Sequence, residues 1–566
     1  MKQYTMGEVS ELLGLRPHVL RYWEQEFPLI SPKRDIAGRR VYTERDLQLL
    51  FRFKYLLHEK RFTLEGAKSK IWEEMDGRSV DLTARVHEMR SSLLALRSLL
   101  GGQENLNTRE RELKDVFAGS GQDHLFDHWS KRDESKKKRL VDDLSGLDID
   151  QLRELQRLLE QPTQRAARLE PAEYVPLSVS RCDDEARRIG EALLGGGKVG
   201  FLTVAGGHGS RLGFEGPKGM LPISPIRRVS LFQVLAERVR AASQRHRAVF
   251  PWYIMTSNGN HRQTVEYFHA QSFFGLDSDA VRFFSQGSVP SLYPDGRLVL
   301  GEDGGLYRNP NGHGGVIDAL RSSGLLEEIA TRGIEELSYF QVDNPLVDIA
   351  DPLFLGTHRR QASEMSTKVV RKTRAEEKLG AIGMIDGKPG MIEYSDLGTE
   401  QMAAVGANQE LLFSHGSTAV HVLSVPFLAA FTRPLPFHEA HKAAKALIPT
   451  RGGAEIRKED VVKFELFIFD AIPRAKNPLF FEVDRQEEFA PVKNAVGDDS
   501  TESCIKAQVK KNARWLEDCG VEVPKDSEGE SVYAIEISPL FAFNTAMLEE
   551  KRGQVEKKIR QNTLLV

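Results

Sequence analysis

The period of the apolar positions changes several times along the chain, and each change marks an element. Between Thr5 and Trp23 it is helical. Val9, Leu12 and Leu13 follow a Thr5 cap, Gly14 ends the run, and Arg16-Pro17 opens a second helix carrying Val19, Leu20, Tyr22 and Trp23. A basic loop with Lys33, Arg34, Arg39 and Arg40 leads into Val41-Tyr42, and Thr43-Glu44-Arg45-Asp46 starts another striped helix. Leu82, Val86, Met89, Leu93, Leu96 and Leu100 then alternate spacings of four and three, the seam either of a short coiled coil that would join two copies of the chain or of a single helix packed on the next domain. The polar stretch from Gly101-Gly102 to about Gln122 reads as a tether. At Asp123 a charged helical region begins, holding Leu125, Phe126, Trp129 and Leu140, with Lys136-Lys137-Lys138-Arg139 as a solvated face.

Past residue 198 short apolar runs end in small or polar residues. Val199, Phe201, Leu202 and Val204 form a buried strand followed at once by glycines. Ser230-Leu231-Phe232-Gln233 opens an amphipathic helix, and Pro251 to Met255 form a strand ending in Thr256-Ser257. Further strands end at Ser285-Gln286-Gly287 and at Gln341-Val342-Asp343-Asn344. Such alternation predicts an α/β fold with a mostly parallel sheet and helices on both faces. In such sheets ligands lie beyond the carboxyl ends of the strands, where these polar tails collect.

The richest tail is A-G-G-H-G-S-R-L-G-F-E-G-P-K-G-M, residues 205–220. Gly206, Gly207, Gly209 and Gly213 lack the Cβ atoms that would keep an anion from backbone N–H groups, and Arg211 and Lys218 add positive charge. Two commoner glycine loops are excluded. A P-loop needs Gly-Lys-Ser/Thr, but Lys218 stands between Pro217 and Gly219. The dinucleotide pattern needs two residues before its third glycine, and here three, Ser210-Arg211-Leu212, intervene. What remains suits a nucleoside triphosphate.

Composition narrows the class. With 566 residues the chain suggests two or three domains, and 40% hydrophobic with 28% charged residues is a globular balance. A net charge of -3 predicts no general affinity for polyanions, so any nucleic-acid contact must be local; residues 1–75, with 14 Lys/Arg against 11 Asp/Glu, are the place for it. Cys182, Cys504 and Cys519 are too few for a disulfide framework or zinc site and read as reduced cytoplasmic thiols. No apolar run has the length of a membrane span, and the N-terminus lacks a signal-peptide core.

The glycine loop resembles the signature of the sugar-nucleotide pyrophosphorylases, L-x-x-G-G-x-G-T-R-L-G followed by P-K, and more narrowly the UDP-N-acetylglucosamine and UDP-glucose pyrophosphorylases, in which P-K-G-M recurs. The resemblance implies a Rossmann-like (GT-A-like) nucleotidyltransferase sheet with a small β-rich C-terminal domain. It implies roles for residues as well. Arg211, Lys218 and Lys493 would meet the phosphates, and Gly206, Gly207 and Gly209 the triphosphate. Gln286, Gly287, Gly312 and His313 would hold the uracil, and Gly380, Glu393, Tyr394 and Ser417 the sugar. Asp343 would bind Mg2+. Five positions depart from the group, the mildest being Ser210 in place of a Thr. Ser417 stands for a sugar-contacting Asn, Asp318 for an Arg, His208 for a Gln, and His313 is shared with plant-type UDP-glucose and UDP-sugar enzymes. The identity of the sugar is therefore open, and a UDP-sugar sensor with little turnover is an alternative.

About 70 residues from Tyr4 resemble the MerR-type winged helix-turn-helix, carried by Tyr4-Thr5-Met6-Gly7-Glu8-Val9, Leu20-Arg21-Tyr22-Trp23-Glu24 and Arg39-Arg40-Val41-Tyr42. The resemblance implies that Arg21 and Tyr22 enter a major groove of double-stranded DNA while Arg39 and Arg40 grip its backbone from the wing. The expected organisation is this DNA-binding head (1–75), a dimerisation helix and linker (76–122), a helical segment (123–190), a catalytic domain (191–455) and a C-terminal domain completing the site (456–566). The chemistry needs no strong base. A sugar 1-phosphate is mostly ionised at neutral pH, so bringing two anions together is the main task.

Overall fold

The computed structural model describes residues 3–13, 15, 19–20, 23, 33–34, 40–43, 46, 50–51, 54, 56, 106–117, 120–160, 168–393, 399–406, 409–450 and 453–566. Arg21, Tyr22, Arg39, Tyr394 and the 82–100 seam lie outside them. Two units are distinguished: residues 1–116 with Leu144–Gly146, and Phe117–Asp143 with Leu147–Val566.

In the first unit, β1 (Gln3–Thr5), β2 (Lys33–Arg34) and β3 (Arg40–Thr43) form an antiparallel sheet in the order β1-β3-β2. Val9 and Leu13 of the helix Met6–Leu13 are buried with Leu20, Trp23, Tyr42, Leu50 and Leu56, the apolar stripes of the sequence. Lys33 and Arg34 of β2 pair antiparallel with Val41 and Arg40 of β3. The tether contains a helix, Leu106–Phe117, which its polarity concealed; the Lys114–Glu110 ion pair, one turn apart at 2.5 Å, is the local support.

The second unit is built on a ten-stranded mixed sheet. Its parallel centre comprises β5 (Val199–Val204), β6 (Trp252–Thr256), β7 (Val281–Ser285) and β10 (Glu336–Gln341), in the order β10-β5-β6-β7. These strands read as apolar runs because both faces are covered: Phe201, Trp252 and Ile254 join one core with helices Leu231–His246 and Pro352–Arg360, while Leu202, Tyr253 and Met255 join another with Val316–Ser322 and Leu325–Thr331. Ser230 caps its helix as the sequence predicts, accepting from the Gln233 N–H at 3.2 Å.

Beyond β10 the sheet turns antiparallel. β14 (His415–Ser424) pairs with β10, with β11 (Met365–Arg371) and with β12 (Ala381–Ile385), and β12 also with β13 (Lys388–Ile392) and β4 (Leu169–Pro171), whereas β17 (Leu479–Glu482) lies parallel to β11. A small sheet, β8 (Ser288–Pro290) with β9 (Arg308–Pro310), adjoins a long hairpin, β15 (Phe437–Thr450) and β16 (Gly453–Leu466). The expected boundary at residue 455 falls inside that hairpin. The end of the chain is less strand-rich than the resemblance implies: an 18-residue helix, Thr501–Asp518, stands with the three-residue strands β18 (Ile535–Ile537) and β19 (Thr563–Leu565). Glu536 ties it to the sheet by accepting from the Ile226 and Arg227 N–H groups and from Arg227 Nε at 2.7, 2.9 and 2.6 Å. No helix among the described residues is long and apolar enough to cross a membrane.

Candidate active site

Ladder hydrogen bonds run past the ends of the parallel strands and align the loops that follow them. Ala205 N donates to Met255 O (2.7 Å), Gln286 N to Thr256 O (2.8 Å) and Val342 N to Val204 O (3.1 Å). The glycine loop is laced to its neighbours: Ser257 Oγ donates to Gly206 O (2.8 Å), Asn260 Nδ2 to Ala205 O (2.9 Å), and Lys218 N to Gly207 O (3.0 Å). Its glycines do different things. A Cβ on Gly206 would lie 2.7 Å from Gln286 Nε2, so that glycine makes room for a buried amide. Gly209 spends its N–H on Gly216 O and its missing Cβ on Phe214, which corrects the expectation that its amide faces a phosphate. The N–H groups of Gly206 and Gly207 have no protein acceptor among the described residues.

At the mouth of this loop Lys218 Nζ lies 2.7 Å from Asp343 Oδ2, with both side chains largely buried. Lys493 arrives from a distant segment: Val492 N donates to Asp343 O at 3.0 Å. Burial alone would raise the Asp343 carboxyl, but the Lys218 and Lys493 ammonium charges outweigh it and hold that carboxyl below the usual range. Asp343 is thus an ionised carboxylate at the carboxyl edge of the sheet, with no cluster of three metal-ligating side chains among the described residues. Such a lone carboxylate suits a hard cation that arrives with a triphosphate, since Mg2+ takes one or two carboxylates and fills its remaining positions with water and phosphate oxygens.

The other expected residues fall into two groups. Gln286 and Gly287 meet the 309–315 loop: Asn311 N donates to Gly287 O at 3.0 Å, and a Cβ on Gly287 would strike the Asn311 amide. Gly312, at φ +87°, touches the backbone of Leu466, where any Cβ would come within 2.5 Å. His313 Nδ1 accepts from Ile468 N at 3.3 Å, which leaves its proton on Nε2. Burial, with His438 beside it, lowers His313 to about 4. Behind it His421, bonded to Thr367 Oγ1 at 2.9 Å, is lowered to about 3 by burial and by His313. Both rings are neutral at pH 7. On the antiparallel side Gly380, Glu393 and Ser417 gather at one end of β12, β13 and β14, with Ser417 N donating to Gly380 O at 3.0 Å. The Ser417 hydroxyl accepts from Ala419 N at 3.0 Å across a bulge in β14. Asp318 is half-exposed, 3.5 Å from Arg321. His208 and Arg211 lie exposed on the glycine loop.

The structure adds residues that the sequence reading passed over. Lys463 of β16 stands close to Arg211, and burial followed by the Lys442 and Arg211 charges pushes its ammonium pKa down. A lysine inside the apolar run Val461-Val462-Lys463-Phe464 was the available signal. Phe467 stacks on His313 (5.3 Å between ring centres) and on Phe469 (5.0 Å), making an aromatic wall beside the 309–315 loop.

Residues 156–515 match the family model described as UTP--glucose-1-phosphate uridylyltransferase. The chain belongs to this family. Uridylyltransferase relatives follow it along most of their length. UDP-N-acetylglucosamine diphosphorylase 2 of Arabidopsis thaliana is 34% identical over 460 residues, 76% of this chain and 89% of its own. UDP-N-acetylglucosamine pyrophosphorylase of Saccharomyces cerevisiae is 32% identical over 474 residues, 78% of this chain and 98% of its own. The fold is that of the uridine diphosphate N-acetylglucosamine pyrophosphorylase of Trypanosoma brucei, solved with an inhibitor, at a TM-score of 0.66 and 24% identity over 82% of this chain and 99% of that one. Ahead of the uridylyltransferase region, residues 4–71 match the family model described as MerR HTH family regulatory protein.

Proposed function

We propose that the second unit transfers a uridylyl group from UTP to a sugar 1-phosphate of the N-acetylglucosamine or glucose type, releasing pyrophosphate, and that the first unit binds double-stranded DNA. The observation that carries the enzymatic reading is the Lys218–Asp343 ion pair beside two free glycine amides, with the segment that carries Lys493 bonded to Asp343 through the Val492 N–H. A phosphate oxygen of the sugar 1-phosphate attacks the α-phosphorus of UTP as the bond to the β-phosphate oxygen breaks, and the electron pair leaves with pyrophosphate. No side chain need take a proton. Lys493 offsets charge between the two anions, while Lys218, Arg211, Lys463 and the amides of Gly206 and Gly207 hold the departing pyrophosphate. Gln286 presents its amide to the uracil edge, and Gly380, Glu393 and Ser417, with Tyr394, face the sugar. Mg2+ held by Asp343 would supply further charge neutralisation at the triphosphate. Paired reading heads, joined through residues 82–100, suit a two-fold operator.

The deciding experiment measures pyrophosphate release from UTP across a panel of sugar 1-phosphates with purified full-length protein. Turnover with at least one sugar, lost in Lys493→Ala, is the expected result. Absence of turnover with every sugar refutes the enzymatic reading.

A further inference from the structure

The Lys493 segment lies beside Asp343 because two loops far apart in sequence are strapped together, and one buried side chain makes two of the bonds between them. Asn344, 3% exposed, donates from Nδ2 to Glu488 O at 2.6 Å. Its Oδ1 accepts from Ala490 N at 3.2 Å and from Leu346 N at 3.3 Å. With the Val492 N–H donating to Asp343 O at 3.0 Å, residues 488, 490 and 492 are all registered against 343–344, and Lys493 is the next residue.

The segment has other anchors that do not involve Asn344. Lys368 Nζ bonds Glu488 Oε2 at 2.6 Å, Lys511 Nζ bonds Glu487 O at 2.6 Å, and Trp515 Nε1 bonds Glu487 Oε2 at 2.8 Å. On the far side the Lys493 and Asn494 N–H groups donate to Asp499 O. These bonds keep the segment folded against the sheet. The Val492 N–H on Asp343 O and the Asp348 N–H on Glu488 Oε2 (3.3 Å) also tie it to the Asp343 loop, and the Asn344 carboxamide adds the bonds at 488 and 490: a group that donates and accepts at once, where an aspartate could only accept and an alanine neither.

We propose that Asn344 is a positioning residue, holding the 488–493 segment against the Asp343 loop so that turnover depends on Asn344 through Lys493. This rests on the uridylyltransferase reading above. A displacement of about 1 Å at a reacting centre is enough for roughly a hundredfold loss of rate.

The test is a double-mutant cycle on pyrophosphate release with a sugar 1-phosphate that the full-length protein turns over. Asn344→Ala is expected to lower kcat about a hundredfold with a melting temperature close to that of the parent. In a Lys493→Ala background the same change should cost less than about threefold, because the group it positions is already gone. Equal losses in the two backgrounds, or full activity in Asn344→Ala, overturn the proposal. If Asn344→Ala does not fold, Asn344→Ser, which keeps one atom able to donate and accept, is placed in the same cycle with the same criterion. A Lys493→Ala single variant as active as the parent overturns both this inference and the role of Lys493, whereas loss in that variant with additive behaviour of Asn344 sinks this inference alone.

Discussion

Replacing Lys218 by Met tests the central ion pair. The ammonium lies 2.7 Å from Asp343 Oδ2, with 16% and 10% of the two side chains exposed. Removing one partner of a buried pair costs about 3–5 kcal/mol, because the other charge is left in a poor solvent. Lys493 still faces Asp343 and shields part of that charge, so the low end, about 3 kcal/mol, is expected. Adding Asp343→Asn to Lys218→Met removes the stranded charge, and roughly 2 kcal/mol should return. Turnover should respond differently. Loss of a cation aimed at developing negative charge costs about 10²–10³ in kcat, and Asp343→Asn should not restore it. Thermal or denaturant unfolding follows the first quantity and pyrophosphate release the second. Lys218→Met as stable as the parent, no recovery in the double variant, or recovery of activity together with stability would each refute the reasoning.

Three further outcomes are expected. Gly206→Ala should raise KM for UTP at least about tenfold with the fold retained, since its methyl displaces the Gln286 amide lying 2.7 Å away; an unchanged KM measured by initial rates counts against a base-reading role for Gln286. His313 and His421 are lowered to about 4 and about 3, so each stays neutral in the folded protein while the unfolded chain protonates near 6.5. The stability they contribute is complete above pH 6.5 and is lost as pH falls toward 4, and denaturant midpoints for His421→Asn should vary less over that window than those of the parent. Finally, Arg21→Ala with Arg40→Ala should abolish retardation of double-stranded DNA in a mobility-shift assay while pyrophosphate release is unchanged, and retained retardation would contradict a DNA-reading head.

The chemistry was legible wherever it is written in consecutive residues. A strand followed by Gly206-Gly207, Ser257 after β6, Gln286-Gly287 after β7 and Asp343 after β10 could each be read because an apolar run and its polar tail are local, and because parallel strands deliver such tails to one edge. The apolar stripes of Val9, Leu13, Leu20 and Trp23 likewise became the core of the first unit. Helix Leu106–Phe117 was missed because Leu106, Leu113 and Phe117 are too sparse among charged residues to stand out as an apolar period. The tether was drawn on composition, which carries no information about pairing.

The sequence by itself determined the element types, the loop that binds an anion and the kind of reaction those residues can support, since backbone preference and side-chain chemistry act over a few neighbouring positions. Tertiary structure alone decided which distant groups lie together: that the segment before Lys493 bonds to Asp343, that Phe467 stacks on His313, and that the Gly209 amide turns inward to Gly216. Those meetings depend on strand order, hairpin register and the entropy of closing long loops, quantities summed over the whole chain and therefore not readable at any single position.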